Sequence, residues 1–117
     1  MSTVWIANEG GHHYEPAKEH AGENAQFKPL TLDDVNTLQV DRLARHLSRG
    51  IVKYVQPNDF LIWSGSPVIN ALALHLWITY HGKCRTLNWD AKRRRYELKT
   101  LTLEHMNYLI DRQMELP

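Results

Sequence analysis

A three-layer α/β domain, built on a mainly parallel sheet and closed by an antiparallel hairpin and a helix, is what the sequence predicts. Three observations lead there. Short apolar runs such as "TVWIAN" and "DFLIWSG" end on small or turn-forming residues, as buried strands do. Between them lie longer stretches with apolar residues at helical spacing. Near the C-terminus, "KCRTLNW" and the alternating "RYELKTL" flank the basic turn "DAKRR", the pattern of a hairpin. A β-α-β-α-β order with short connections packs helices against a parallel sheet, a Rossmann-like arrangement. With 117 residues the chain forms one domain, residues 1–117, around a single core.

Each element has its own justification. Residues 3 to 8 form the first strand, and "GGHHYEPAKEHAG" is a loop leading into one helical turn stopped by Gly22. "AQFKPL" reads as a second strand, which Pro29 places at a sheet edge. "TLDD" reads as a helix start, with Thr31 as N-cap and Asp33 and Asp34 in the first turn. Val40, Leu43, Leu47, Ile51 and Val55 then form an apolar stripe opposite Asp41, Arg42, Arg45, His46 and Arg49, ending before "QPND". After the strand "DFLIWSG" comes a helix from about Pro67 to Tyr80, interrupted only by Asn70, His75 and Thr79. Gly82 suits the left-handed position that ends it. A helix apolar nearly all round needs cover on more than one side, which predicts a homo-oligomer burying part of 67–80. Thr102 caps a last helix carrying Leu103, Met106 and Ile110 on one stripe.

Composition narrows the function. Apolar residues at 43% and charged residues at 23% are those of a soluble globular protein. A net charge of +1 argues against a nucleic-acid binder. Cys84 stands alone, so neither an internal disulfide nor a zinc cluster is expected. "MSTVWIANEGG" has no basic and apolar leader pattern, and the apolar run 67–78 is too short to span a bilayer. These readings predict a cytoplasmic protein with no membrane partner.

In a parallel sheet, ligands bind outside the carboxyl ends of the strands. Three such ends converge here: Asn8 with Gly10, Gly11, His12 and His13; Ser64 with Gly65 and Ser66; and Asn88 with Trp89 and Asp90. "SGSP" ahead of a helix offers free N–H groups, two hydroxyls and the helix dipole to an anion, with Ser66 placed to cap the helix. The same four residues also make an ordinary N-cap with proline at N1, and no Walker or G-x-G-x-x-G fingerprint is present. Adjacent His12 and His13 lack a third ligand by spacing, so no metal and no cofactor is predicted. His75 on its apolar helix reads as a core or interface histidine, and Trp5 and Trp63 read as core. The "KRRR" of residues 92–95 reads as a solvated hairpin tip, with the means to attract phosphates if it folds over the site. Ser64 or Ser66 with His12 or His13 and Asp90 would make a nucleophile, base and orienter, but G-x-S-x-G is missing and paired carboxylates are not gathered. The candidate ligand-binding residues are therefore Asn8, Gly10, Gly11, His12, Ser64, Gly65, Ser66 and Asp90, and binding without chemistry is preferred.

The segments "VWIANEGGHHYEPAKEHAG", "LT", "VDRLARHL" and "NDFLIWSGSPVINALALHLWITYHGKCRTLNWDAKRRRY" resemble a group of small uncharacterised proteins of tailed bacteriophages. That group combines a strand ending in Asn, a Gly-His-x-Tyr/Phe loop, an aliphatic strand ending near Ser-Gly, and a basic hairpin ending in Tyr. The resemblance covers roughly residues 4 to 96, and His13 departs from it where an acid is expected. It implies a phage origin, a host-cell location and a small-ligand pocket, and carries no activity with it. The resulting expectation is a non-enzymatic binder of a nucleotide-like or phosphorylated small molecule, such as a host-defence signal that the phage gains by sequestering. Its rivals are a hydrolase or phosphodiesterase of such a nucleotide, and a protein-interaction module acting through the 67–80 helix.

Overall fold

Backbone pairing joins the apolar runs into one five-stranded sheet in a computed structural model of the chain, which describes residues 2–32 and 35–116. The strands are β1 (Thr3–Ile6), β2 (Gln26–Pro29), β3 (Phe60–Ile62), β4 (Lys83–Asp90) and β5 (Arg95–Thr102), in spatial order β2-β1-β3-β4-β5. β1, β2, β3 and β4 run parallel, and β5 pairs antiparallel with β4. The expected mixed α/β domain, mostly parallel with an antiparallel C-terminal pair, is thus observed. Pro29 lies on β2 at the sheet edge, where a missing N–H is tolerated.

Alternation of side chains divides the sheet into two faces. Trp5, Leu61 and Cys84 point to the face covered by α2 (Val40–Lys53) and α3 (Pro67–His81), where Leu43, Leu47, Ile51, Ile69, Ala73 and Trp77 complete the core. Val4, Ile6, Phe60, Ile62, Leu87 and Tyr96 point to the other face, where they meet Tyr14 and Ala17. Ala17 belongs to a single 3-10 turn, Glu15–Ala17, which runs into the short α1 (Lys18–Ala21). Gly22 stops α1 at φ +101, a conformation that only glycine adopts cheaply. Gly82 likewise ends α3 in the left-handed region, its N–H donating to Ile78 O. Thr102 caps α4 (Leu103–Glu115) by accepting from His105 N–H.

Three expectations need correction. No helix begins at Thr31: its side chain is buried, and its hydroxyl donates to Ala7 O (2.7 Å) while accepting from Asn8 Nδ2–H (3.0 Å). Long-range pairing of the strand ends, seen also in the Glu9–Leu32 bridge, outweighs a local cap, and α2 starts only at Val40. Asp33 and Asp34 lie outside the described residues. Trp63 is not core but 39% exposed. His75 is exposed on this chain, which overturns the core half of its reading. The helix expected after Thr102 is formed, with Leu103 and Ile110 of its stripe exposed and Met106 packed on the core.

No helix of the described residues is long and apolar enough to cross a membrane. Among them no group of three or more His, Cys, Asp or Glu side chains is placed to hold a metal ion.

Candidate functional site

Strand order locates the site. From β1 the chain passes to β2 on one side, then crosses to β3 on the other, so the topological switch falls between β1 and β3. At the carboxyl ends of these strands lies a cavity of about 420 Å³, lined by His12, His13, Tyr14, Trp63, Ser64, Gly65, Trp89 and Tyr96. The walls are mostly aromatic rings, and no carboxylate, lysine or arginine takes part.

Each wall is held by a different part of the fold. Tyr14 is buried, and its hydroxyl shares a 2.8 Å hydrogen bond with Ser64 Oγ, tying the 10–14 loop to the end of β3. His12 stands edge-on to Tyr14, with ring centroids 6.3 Å apart. Trp89 and Tyr96 face each other across the β4–β5 ladder, with centroids 5.1 Å apart and an edge-to-face angle of 67°. Tyr96 is buried beneath, whereas Trp89 is 47% exposed. Burial, and secondarily the neighbouring Tyr14 phenol, pushes the Tyr96 phenol above the usual tyrosine range. His20 Nε2–H donates to Tyr96 O (2.7 Å) and anchors the second wall to α1.

The turn between β3 and α3 is organised by Asn70. Its Oδ1 accepts from Ser64 N–H (3.1 Å), and its Nδ2 donates to Ser64 O (2.9 Å) and Ser66 O (2.7 Å). Ser66 occupies the N-cap position, but its side chain makes no capping bond, contrary to the sequence expectation. Asn70, inside the apolar helix, instead fixes the backbone of the turn ahead of it. Gly65 has φ +76, and a Cβ there would run into Asn8 Oδ1. The glycine thus serves the close approach of two strand ends rather than of a ligand, and Gly65→Val is expected to disturb the fold itself.

Of the eight predicted residues, the structure brings His12, Ser64 and Gly65 into the cavity wall. Asn8 lies behind them, buried and bonded to Thr31. Gly10 and Gly11 form the turn before His12, where Gly11 N–H donates to Glu9 Oε1 (2.8 Å). Ser66 stands outside the lining, its carbonyl held by Asn70. Asp90 shapes the hairpin, its Oδ1 accepting from the N–H groups of Lys92 and Arg93. Sequence reasoning left His13, Tyr14, Trp63, Trp89 and Tyr96 out of the final candidates, although His13 and Trp89 stood among the converging strand ends. For Trp63 the signal was its place directly before the strand-end residue Ser64.

Fold and site together define a small mixed α/β domain with an aromatic cleft at the carboxyl edge of its parallel strands. Comparison with known families narrows this further. The chain belongs to the Phage Pam3 gp32-like protein family, whose model matches residues 2–103, so it is a phage protein. No curated protein and no solved structure matches it.

Proposed function

We propose that the protein binds a nucleotide-like small molecule in this cleft and holds it without turnover, in the host cytoplasm, sequestering a defence signal from its receptor. The ring-lined cavity at the strand switch carries the reading. Planar bases stack on aromatic side chains with gains of roughly 1–3 kcal/mol each, and Trp63 and Trp89 offer exposed rings on one rim. A Rossmann-like, three-layer description fits it, with Glu15–Ala21 as the thinner helical layer. The open outer row of α3, including Val68 and Tyr80, supports a homo-oligomer, and light scattering at micromolar concentration tests that part.

A hydrolase of the same ligand is the rival, favoured by the Tyr14–Ser64 hydroxyl pair beside His12. It lacks an orienting acid in the lining, because Asp90 is committed to the hairpin turn. The test is to denature protein purified from infected cells and identify the released small molecules by mass spectrometry. Recovery of an intact nucleotide supports binding; loss of added nucleotide with product formation supports the hydrolase. Absence of any nucleotide, with a host protein co-purifying instead, contradicts both.

A further inference from the structure

We infer that the ligand of the aromatic cavity is an anionic conjugate of a planar ring, a nucleoside phosphate, and that Arg94 on the β4–β5 hairpin holds its charged end. This rests on the ring-binding reading above and adds a charge-recognising residue to it. The cavity wall holds no lysine or arginine, and beyond the ring N–H groups of His12 and His13 a permanent positive charge for an anionic ligand has to come from the rim. The hairpin is the element at that rim. Trp89 pairs with Tyr96 and Asp90 with Arg95, so residues 91–94 form a tip projecting past the two rings that line the cavity.

The charges at this tip are not all used within the fold. Arg93 lies 3.9 Å from Asp90 Oδ2 and 3.6 Å from Glu97 Oε1, and Arg95 lies 3.3 Å from the same Glu97 oxygen. Lys92 and Arg94 enter no ion pair among the described residues. Arg94 also has φ +55, the left-handed region where glycine is the unstrained choice. A long cationic side chain therefore stands at a backbone position that disfavours it, two residues before Tyr96 of the cavity wall. At the turn ahead of α3, Ser64 N–H is committed to Asn70 and the N-cap Ser66 lies outside the cavity lining. An aromatic cage can also hold an organic cation, but the surplus positive charge at the hairpin repels one.

Tryptophan-fluorescence titrations with the common nucleoside 5′-monophosphates, the matching nucleosides and inorganic phosphate test this. The native protein is expected to bind at least one monophosphate roughly tenfold tighter than its nucleoside, a charge-assisted contact being the difference. That advantage shrinks as salt is raised from about 0.05 M to about 0.5 M. In Arg94→Gly, chosen because it relieves the backbone strain and keeps the fold, the ratio falls to near one. Equal binding of nucleoside and monophosphate by the native protein overturns the inference and leaves ring binding standing. An undiminished ratio in Arg94→Gly overturns the assignment to Arg94. Phosphate competing as well as the monophosphate contradicts a ring-based site, and binding of neither nucleosides nor monophosphates overturns both readings together.

Discussion

Trp5 lies within β1 and Trp63 directly after the neighbouring β3, one tied to the amino end of the parallel strands and one at their carboxyl end, and the fold treats them in opposite ways. Trp5 is 6% exposed, and its indole N–H donates to Asp59 Oδ2 (3.0 Å). The same carboxylate accepts from Gln56 N–H (2.8 Å) and, through Oδ1, from Thr3 N–H (3.1 Å). At this amino edge a buried charge is surrounded by donors, and the strands are locked together. At the carboxyl edge, Trp63 and Trp89 leave much of their ring surface open around a cavity. A tryptophan whose polar tip is satisfied inside the protein contributes to stability. One whose face stays partly wet next to a cavity contributes less to stability and is available to a ligand.

The largest effect separating the two edges is expected at Asp59. Asp59→Ala leaves the buried Trp5 and Thr3 donors without partners and should destabilise the domain by roughly 3 kcal/mol, read as a fall in the urea midpoint. A loss below about 1 kcal/mol would mean the amino edge is not locked as described.

Asn70→Ala comes next, with a loss of about 2 kcal/mol from three broken hydrogen bonds at a buried amide. Because Asn70 holds the Ser64 turn, ligand affinity is expected to fall with stability, unlike the effect of Asp59→Ala. Equal affinity in the folded Asn70→Ala protein would uncouple the turn from the site.

The two edges also differ in alkaline solution. Burial pushes the Cys84 thiol, near the start of β4, from 9.0 up to about 12. The folded protein keeps a proton that the unfolded chain releases, so stability is fully present below about pH 9 and falls as pH rises towards 12. The slope from this group alone is about 1.4 kcal/mol per pH unit. Tyr96, at the cavity edge, acts in the same direction, so some alkaline loss should remain in Cys84→Ala. Denaturation midpoints at several pH values for both proteins measure the division.

The smallest effect belongs to Ser66. With no capping bond to lose, Ser66→Ala should change stability by less than about 0.5 kcal/mol, where a capping serine would cost about 1 kcal/mol.

Much of the fold was legible because it rests on local periodicity. The β3 run, the α2 stripe, the Gly22 and Gly82 stops, the Thr102 cap and the basic hairpin all carry their signal within a few residues. The site was legible only as a place. Strand-end reasoning reached the right edge and selected His12, Ser64 and Gly65, but it favoured hydroxyls and glycines over rings. Trp5 and Trp63 are indistinguishable as apolar strand residues, since which one finds an Asp59 depends on the edge it occupies. Tyr14 meets Ser64 across fifty positions of chain, and Asn70 looks like a mere interruption until its carbonyl partners are brought beside it. Thr31 misled for the same reason, because a hydroxyl before two acids is a local cap signal that tertiary pairing overrode.

The central claim is that the open rings at the carboxyl edge exist for a ligand. Its most direct measurement is the nucleotide carried by protein purified from infected cells, compared between the native chain and the Trp63→Ala/Trp89→Ala double variant after both are shown to melt cooperatively. The account predicts an intact nucleotide bound to the native protein and at least a tenfold loss from the variant, in line with roughly 1–3 kcal/mol per stacked ring, with unfolding still cooperative though at a lower temperature because Trp89 packs on Tyr96. Native protein that carries no nucleotide, or a variant that retains it in full, would contradict the account.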